Sequence, residues 1–231
     1  MGRFKELLSG LSDAVEGFEQ VGSAIGRLNR TLQKSSRGEM VAIPSEAMVP
    51  KSQSGLVARE YNVKTIDERV SFIITMIQKG RDDPNVRAFA VKSVSKRCGE
   101  RWCTKEGDYD NEVRAVFDEL RSRYRYVRDT YGKDLFQHPA RTLEMGGGDC
   151  DDATILICST LGAIGYPTKC RVIRTKEASD WNHIYALVGL PPKGPNRWVP
   201  LDLSVSHKPP GWEPPQSMIA AIRDFDVPLK F

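Results

Sequence analysis

Hydrophobic residues in the first thirty-odd positions recur every seven. Phe4, Leu11, Phe18, Ile25 and Leu32 lie one heptad apart, and Leu7, Ala14, Val21 and Leu28 fill the companion positions. This is the seam pattern of an amphipathic helix that packs on a partner. Gly10, Gly17, Gly22 and Gly26 interrupt the same stretch, each costing about 1 kcal/mol against alanine in a helix interior. A helix over 1–35 therefore needs a supporting surface, either its own domain or another subunit of an assembly. The periodicity then vanishes: residues 36–62 mix Ser, Gly and Pro with isolated apolar side chains, the composition of a linker or extended arm.

Periodicity resumes at "TIDERVSFIITMIQKG", where Thr65 and Glu68 form a capping box and Gly80 marks the expected stop. "DPNVRAFAVKSVSKR" predicts a second helix with Pro84 in its first turn. In "DYDNEVRAVFDELRSRYRYVRD", Val113, Val116, Phe117, Leu120, Tyr124 and Val127 form one stripe of a third helix. Acids interleave with the arginines of its other face, the mark of a solvated surface rather than of a nucleic-acid patch. "DCDDATILICSTLGAIG" predicts a helix capped by Asp149 and stopped at Gly165. "YPTKCRVIRT", "WNHIYALVGL" and "RWVPLDLSV" predict three strands separated by turns. Helices followed by a small antiparallel sheet make an α+β domain over 63–231, behind the N-terminal helix and its arm.

Composition narrows the function classes. A net charge of +4 over 231 residues is too mild to imply a polyanionic partner. The N-terminal stretch carries acids and no unbroken apolar core, so no secretory signal is expected, and no run approaches the roughly 20 apolar residues of a membrane span. Gly2 lacks the Ser/Thr partner of a myristoylation signal. These features lead to the expectation of cytoplasmic synthesis. Five cysteines cannot all pair; the spacing of Cys98 and Cys103 in "RCGERWC" fits a local disulfide or half a zinc site, with unpaired thiols the expected reading. A zinc site there would need two more ligands, and the chain has three histidines in all, so no metal is expected.

The candidate chemistry centres on Cys150. It would be the first residue of a helix, where unpaired N–H groups and the helix dipole favour a thiolate. Gly148 and the glycines before it leave one flank without side chains, through which a substrate backbone could approach. Asp151 and Asp152 suit the helix dipole but oppose a neighbouring thiolate, so activation needs a base. His183, in the apolar strand "WNHIYALV", is the best candidate. His138 and His207 fall in loop-like segments. Asp202, in the strand "WVPLDLSV", could meet His183 across the sheet and fix its orientation. Cys158 and Cys170 read as core residues, and Trp181 as a possible wall of a substrate groove.

"GGGDCDDATILICSTLGAIGYPTKCRVI", "WNHIYALV" and "WVPLDLSV", in that order, resemble the transglutaminase-like superfamily of papain-related cysteine enzymes. The similarity is strongest to short microbial and bacteriophage-encoded members, and it covers 65–212. It implies a transglutaminase-like core and a triad of Cys150, His183 and Asp202. It also implies a place for Gln137 near the oxyanion site. The implied activity is cofactor-free acyl transfer at an amide bond of a peptide or protein, a cell-wall peptide being one candidate. The outcome is hydrolysis or cross-linking through a thioester. The alternative is a docking component of an assembly such as a virion, attached through 1–35, with catalysis incidental or lost.

Overall fold

A computed structural model describes residues 63–130, 134–205 and 207–229. The heptad stretch and the arm that follows it lie outside the described residues.

Helix α1 (Ile66–Arg81) opens with the expected capping box: Thr65 and the side chain of Glu68 satisfy each other's backbone amides. It does not stop at Gly80. That residue is buried inside the helix, where a Cβ would lie 2.3 Å from the Pro139 ring and 2.6 Å from the Ser159 hydroxyl. The glycine is there so that three helices can approach closely. Helix α2 (Pro84–Val94) follows, capped by Asp83 with Pro84 at its start.

The segment between α2 and the third helix corrects the cysteine reading. Strands β1 (Arg97–Cys98) and β2 (Arg101–Trp102) form an exposed antiparallel hairpin, and its turn brings Cys98 and Cys103 into a disulfide. Cys150, Cys158 and Cys170 are free and buried.

Helix α3 (Tyr109–Arg121) buries Val113, Val116, Phe117 and Leu120 as its pattern predicts. It ends before Tyr124 and Val127. The chain turns instead into β3 (Arg125–Tyr126), which pairs in parallel with β4 (Gly147–Gly148) after the short helix α4 (Pro139–Met145). This pairing accounts for the glycine run. A Cβ on Gly147 would lie 2.6 Å from the Arg125 carbonyl oxygen, and one on Gly148 would lie 2.3 Å from Asp152 Oδ2. The space beside these glycines is filled by the protein itself.

Helix α5 (Cys150–Gly162) is the centre of the domain, buried from Cys150 through Leu161. One face meets α1, where Ser159 Oγ donates to the Ile77 carbonyl at 3.2 Å. The other lies on an antiparallel sheet of order β7-β6-β5-β8, made of β5 (Thr168–Thr175), β6 (His183–Leu190), β7 (Arg197–Leu201) and β8 (Ile219–Asp226). Ile184, Ala186 and Val188 of β6 join the main core with α5, whereas Tyr185 and Leu187 join Ile173 and Ile219 in a second cluster. Strand β8 was not expected. It is an edge strand with mostly exposed side chains, so it lacks the alternation that identifies a half-buried strand. The α+β architecture with helices on a small antiparallel sheet is as the sequence predicts. Among the described residues no helix is long and apolar enough to cross a membrane.

The packing at β4 sets a sharp contrast between two alanine substitutions. Gly148→Ala should lower stability to urea by about 2 kcal/mol, because the buried Asp152 side chain, from its Cβ to its carboxylate, must move. Gly162→Ala meets only the flexible side chain of Arg81 at 3.1 Å and should stay within about 0.5 kcal/mol of wild type.

Candidate active site

The start of α5 is organised by Asp149. Its Oδ1 accepts from the amides of Asp151 at 2.9 Å and Asp152 at 3.2 Å, and its carbonyl oxygen accepts from the Tyr124 hydroxyl at 2.6 Å. Cys150 is thereby fixed as the first helical residue, with 5 % of its surface exposed. The backbone N–H of Ile184, in β6 next to His183, favours the charged form of this sulfur.

His183 and Asp202 are joined. His183 Nε2 lies 2.7 Å from Asp202 Oδ2. The ring also faces Tyr185, with centroids 5.6 Å apart. Asp202 sits one residue beyond the end of β7. The register pairs Ala186 with Leu201, which sets Asp202 level with Tyr185. It reaches His183 from the turn after the strand, not directly across the ladder as a mid-strand residue would. Ser204 holds that turn: its amide and hydroxyl donate to Asp202 Oδ1 at 2.9 and 2.6 Å. Burial pushes the Asp202 carboxyl up, but the charge and hydrogen bond of His183 and the two bonds from Ser204 outweigh it and hold the group below its ordinary value.

Each acid at the helix start has its own donors. Arg69 of α1 donates to Asp151 Oδ2 at 2.7 Å and to Asp134 Oδ1 at 2.6 Å. Gln137 donates twice to Asp152, from its backbone at 2.7 Å and from Nε2 at 2.8 Å, and Nε2 also lies 3.3 Å from the Gly147 carbonyl oxygen. The side-chain amide of Gln137 is thus turned toward the glycine run and the helix start. Burial raises Asp152 to about 6. Burial, then Asp151 and Asp129, push Asp149 up. The carboxylates of Asp129, Asp134 and Asp149 come within 4.8 Å of one another. Asp149 is committed to its two amides, and the cation that meets Asp134 is the Arg69 guanidinium.

Burial raises the Cys150 thiol well above its ordinary value, and Asp149 and Asp151 add to this, while Arg69 and the Ile184 amide oppose it. These influences together favour the neutral thiol at rest.

Other sequence candidates take structural places. His138 caps α4, its Nδ1 accepting from the Ala140 amide at 3.4 Å. His207 is exposed. Trp181 is half-buried against the main core, just before β6. Cys158 and Cys170 are fully buried. Sequence reasoning missed Arg69, Tyr124 and Ser204 as parts of this site. Arg69 carried no signal beyond its place beside an apolar stripe. Tyr124 was absorbed into a helix pattern, and Ser204 stood only as a neighbour on a strand.

Residues 97–203 match the model of the transglutaminase-like superfamily. The matched segment begins at β1 and ends one residue past Asp202, so it holds Cys150, His183 and Asp202 and leaves α1 outside. No curated protein matches the chain. The fold and this match agree: residues 97–203 are similar to the core of the transglutaminase-like superfamily.

Proposed function

We propose that the protein is a cysteine-dependent acyl-transfer enzyme acting on amide bonds of a peptide or protein. Cys150 is the nucleophile, His183 the base and Asp202 the residue that orients the base. The observation that carries this reading is the 2.7 Å contact between His183 and a buried Asp202, on the sheet that packs against the helix opened by Cys150.

The contact fixes the tautomer. An ionised carboxylate only accepts, so His183 Nε2 carries the hydrogen and Nδ1 keeps its lone pair. Nδ1 takes the thiol proton as the sulfur attacks the amide carbonyl. The oxyanion develops near the backbone N–H of Cys150, a first-turn amide with no partner within its helix. The protonated ring then passes the proton to the leaving amine, and a thioester remains on Cys150. Water or a second amine attacks it with His183 again as base, giving an acid or a new amide. Gln137 and Gly148 act on this centre by shaping the helix start, and Trp181 borders it. A raised thiol pKa suits proton transfer during attack rather than a resting thiolate–imidazolium pair. A phage-encoded origin and attachment to an assembly through 1–35 belong to the same proposal.

Activated acyl esters test the chemistry without knowledge of the natural substrate. p-Nitrophenyl acetate should give a burst of nitrophenolate, with the acetyl group found on Cys150 by peptide mass spectrometry. Cys150→Ala and His183→Ala should abolish the burst. A burst of equal size in Cys150→Ala would sink the enzyme reading and leave a docking module.

The pH dependence of iodoacetamide labelling gives a second check. With a neutral resting thiol, the Cys150 rate should keep rising above about pH 9; a plateau near pH 7 would mean a preformed ion pair instead.

Asp202→Asn should slow acylation by about 100-fold or more while leaving the protein folded. Because the folded-state pKa of Asp202 lies below its ordinary 3.8, its ionised form contributes stability above that pH and loses it as pH falls through the folded value. The stability gap between wild type and Asp202→Asn should therefore narrow below about pH 4, as read by urea titration.

A further inference from the structure

The start of α5 sets a problem that Cys150, His183 and Asp202 do not solve. Asp149 and Asp151 flank the sulfur on its own helix. Asp129 and Asp134 approach from the segment before α4, and Asp152 stands one residue further along α5. Tyr124 and Tyr126 face the site from the segment after α3, and His183 and Asp202 face it from the sheet. Every attack by Cys150 draws negative charge into this group of acids. A permanent cation meets it from one side: Arg69, on α1. Arg128 lies farther out, exposed beside Tyr126.

The geometry around Arg69 is specific. Its side chain is 20 % exposed and that of Asp151 4 %. One nitrogen, Nη2, serves two carboxylates that are seventeen residues apart, at 2.7 Å to Asp151 and 2.6 Å to Asp134. The guanidinium also lies 5.7 Å from the Phe136 ring centroid, so its position is held from a third direction. We propose that Arg69 is a positioning residue for the nucleophile: it neutralises Asp151 and Asp134 so that the Cys150 sulfur can take up negative charge beside them. This rests on the enzyme reading above and extends it to a helix outside the family-matched segment.

The electrostatic role differs from a purely structural ion pair in a way that can be measured. An opposite charge a few ångströms from an ionisable group moves its pKa by about 1–3 units. Removing the guanidinium leaves the acids in place and disfavours the thiolate, so the labelling profile moves to higher pH. Removing Arg69 and Asp151 together deletes one charge of each sign, and the two effects on the sulfur oppose each other.

The test is the pH profile of iodoacetamide labelling at Cys150 in the full chain between pH 7 and 10, with the buried Cys158 and Cys170 as internal references. Arg69→Gln should shift the profile upward by about one unit, equivalent to about tenfold slower labelling at a fixed pH below the midpoint. Arg69→Lys, which keeps the charge, should stay close to wild type. Arg69→Gln with Asp151→Asn should return most of the way to wild type. An unshifted Arg69→Gln overturns the proposal, and so does a double variant as shifted as the single one, because a structural bridge is not restored by deleting both partners. If Arg69→Gln does not fold, the double variant and Arg69→Lys decide by the same criterion. Failure of the enzyme reading shows separately, as a missing ester burst in wild type, since the labelling profile needs no turnover.

Discussion

The rest of the site depends on burying a charged helix start. Asp149, Cys150, Asp151 and Asp152 are all buried, and a carboxylate taken out of water must find donors or a proton. The fold supplies them from separate places. Asp149 is met by the amides of its own helix, Asp151 by Arg69 of α1, and Asp152 by Gln137 from the segment ahead of α4. Losing any one of these donors strands a buried acid a few ångströms from the sulfur. The elements around α5 are thus tied by polar contacts as well as by the apolar core.

The same arrangement bears on how the thiol could be used. A helix N-terminus beside an imidazole can hold a resting thiolate where the surroundings are neutral or cationic. Here burial and two adjacent carboxylates act against it. In the proposed mechanism the proton therefore leaves when the carbonyl is in place to share the charge. That asks for a base with a fixed lone pair, and the His183–Asp202 contact, backed by Ser204, supplies one. Asp202 keeps its charge because its donors outweigh its burial, whereas Asp149 and Asp152 are pushed toward their protonated forms. Acids of one residue type, buried in one domain, are driven in opposite directions by what faces them.

What could be read from the sequence follows the range of the interactions. The Thr65 capping box, the Asp149 cap, the proline at the start of α2 and the stripe of α3 are local, and each appears as expected. The pairing of His183 with Asp202 was legible because both are polar residues in apolar surroundings that need partners, although the strand ends earlier than the alternation suggested. Contacts set by the fold were not legible. Gly80 looks like a helix stop unless Pro139 and Ser159 are known to press on it. The glycines at 147 and 148 look like an open approach until β3 and Asp152 are placed against them. The Cys98–Cys103 pair depends on a two-residue turn that composition does not announce. Strand β8 and the partners of Arg69 depend on which segments become neighbours.

The family-matched segment and the chemical unit do not coincide. The match starts at β1, but α1 lies along α5, its Ile77 carbonyl accepts from Ser159, and its Arg69 meets Asp151. Helix α1 is in turn anchored to the far edge of the sheet, where Arg223 of β8 bonds both oxygens of Asp67. That surface pair is worth little by itself. Its place matters more, since it sits two residues before Arg69 and fixes the start of α1 against β8. The proposed nucleophile, base and orienting acid (Cys150, His183 and Asp202) all lie within 97–203. The charge balance around the proposed nucleophile is completed by a helix before that segment, which a strand after it contacts. Substitutions in α1 should accordingly be judged as changes to the site, not as changes to a neighbouring surface.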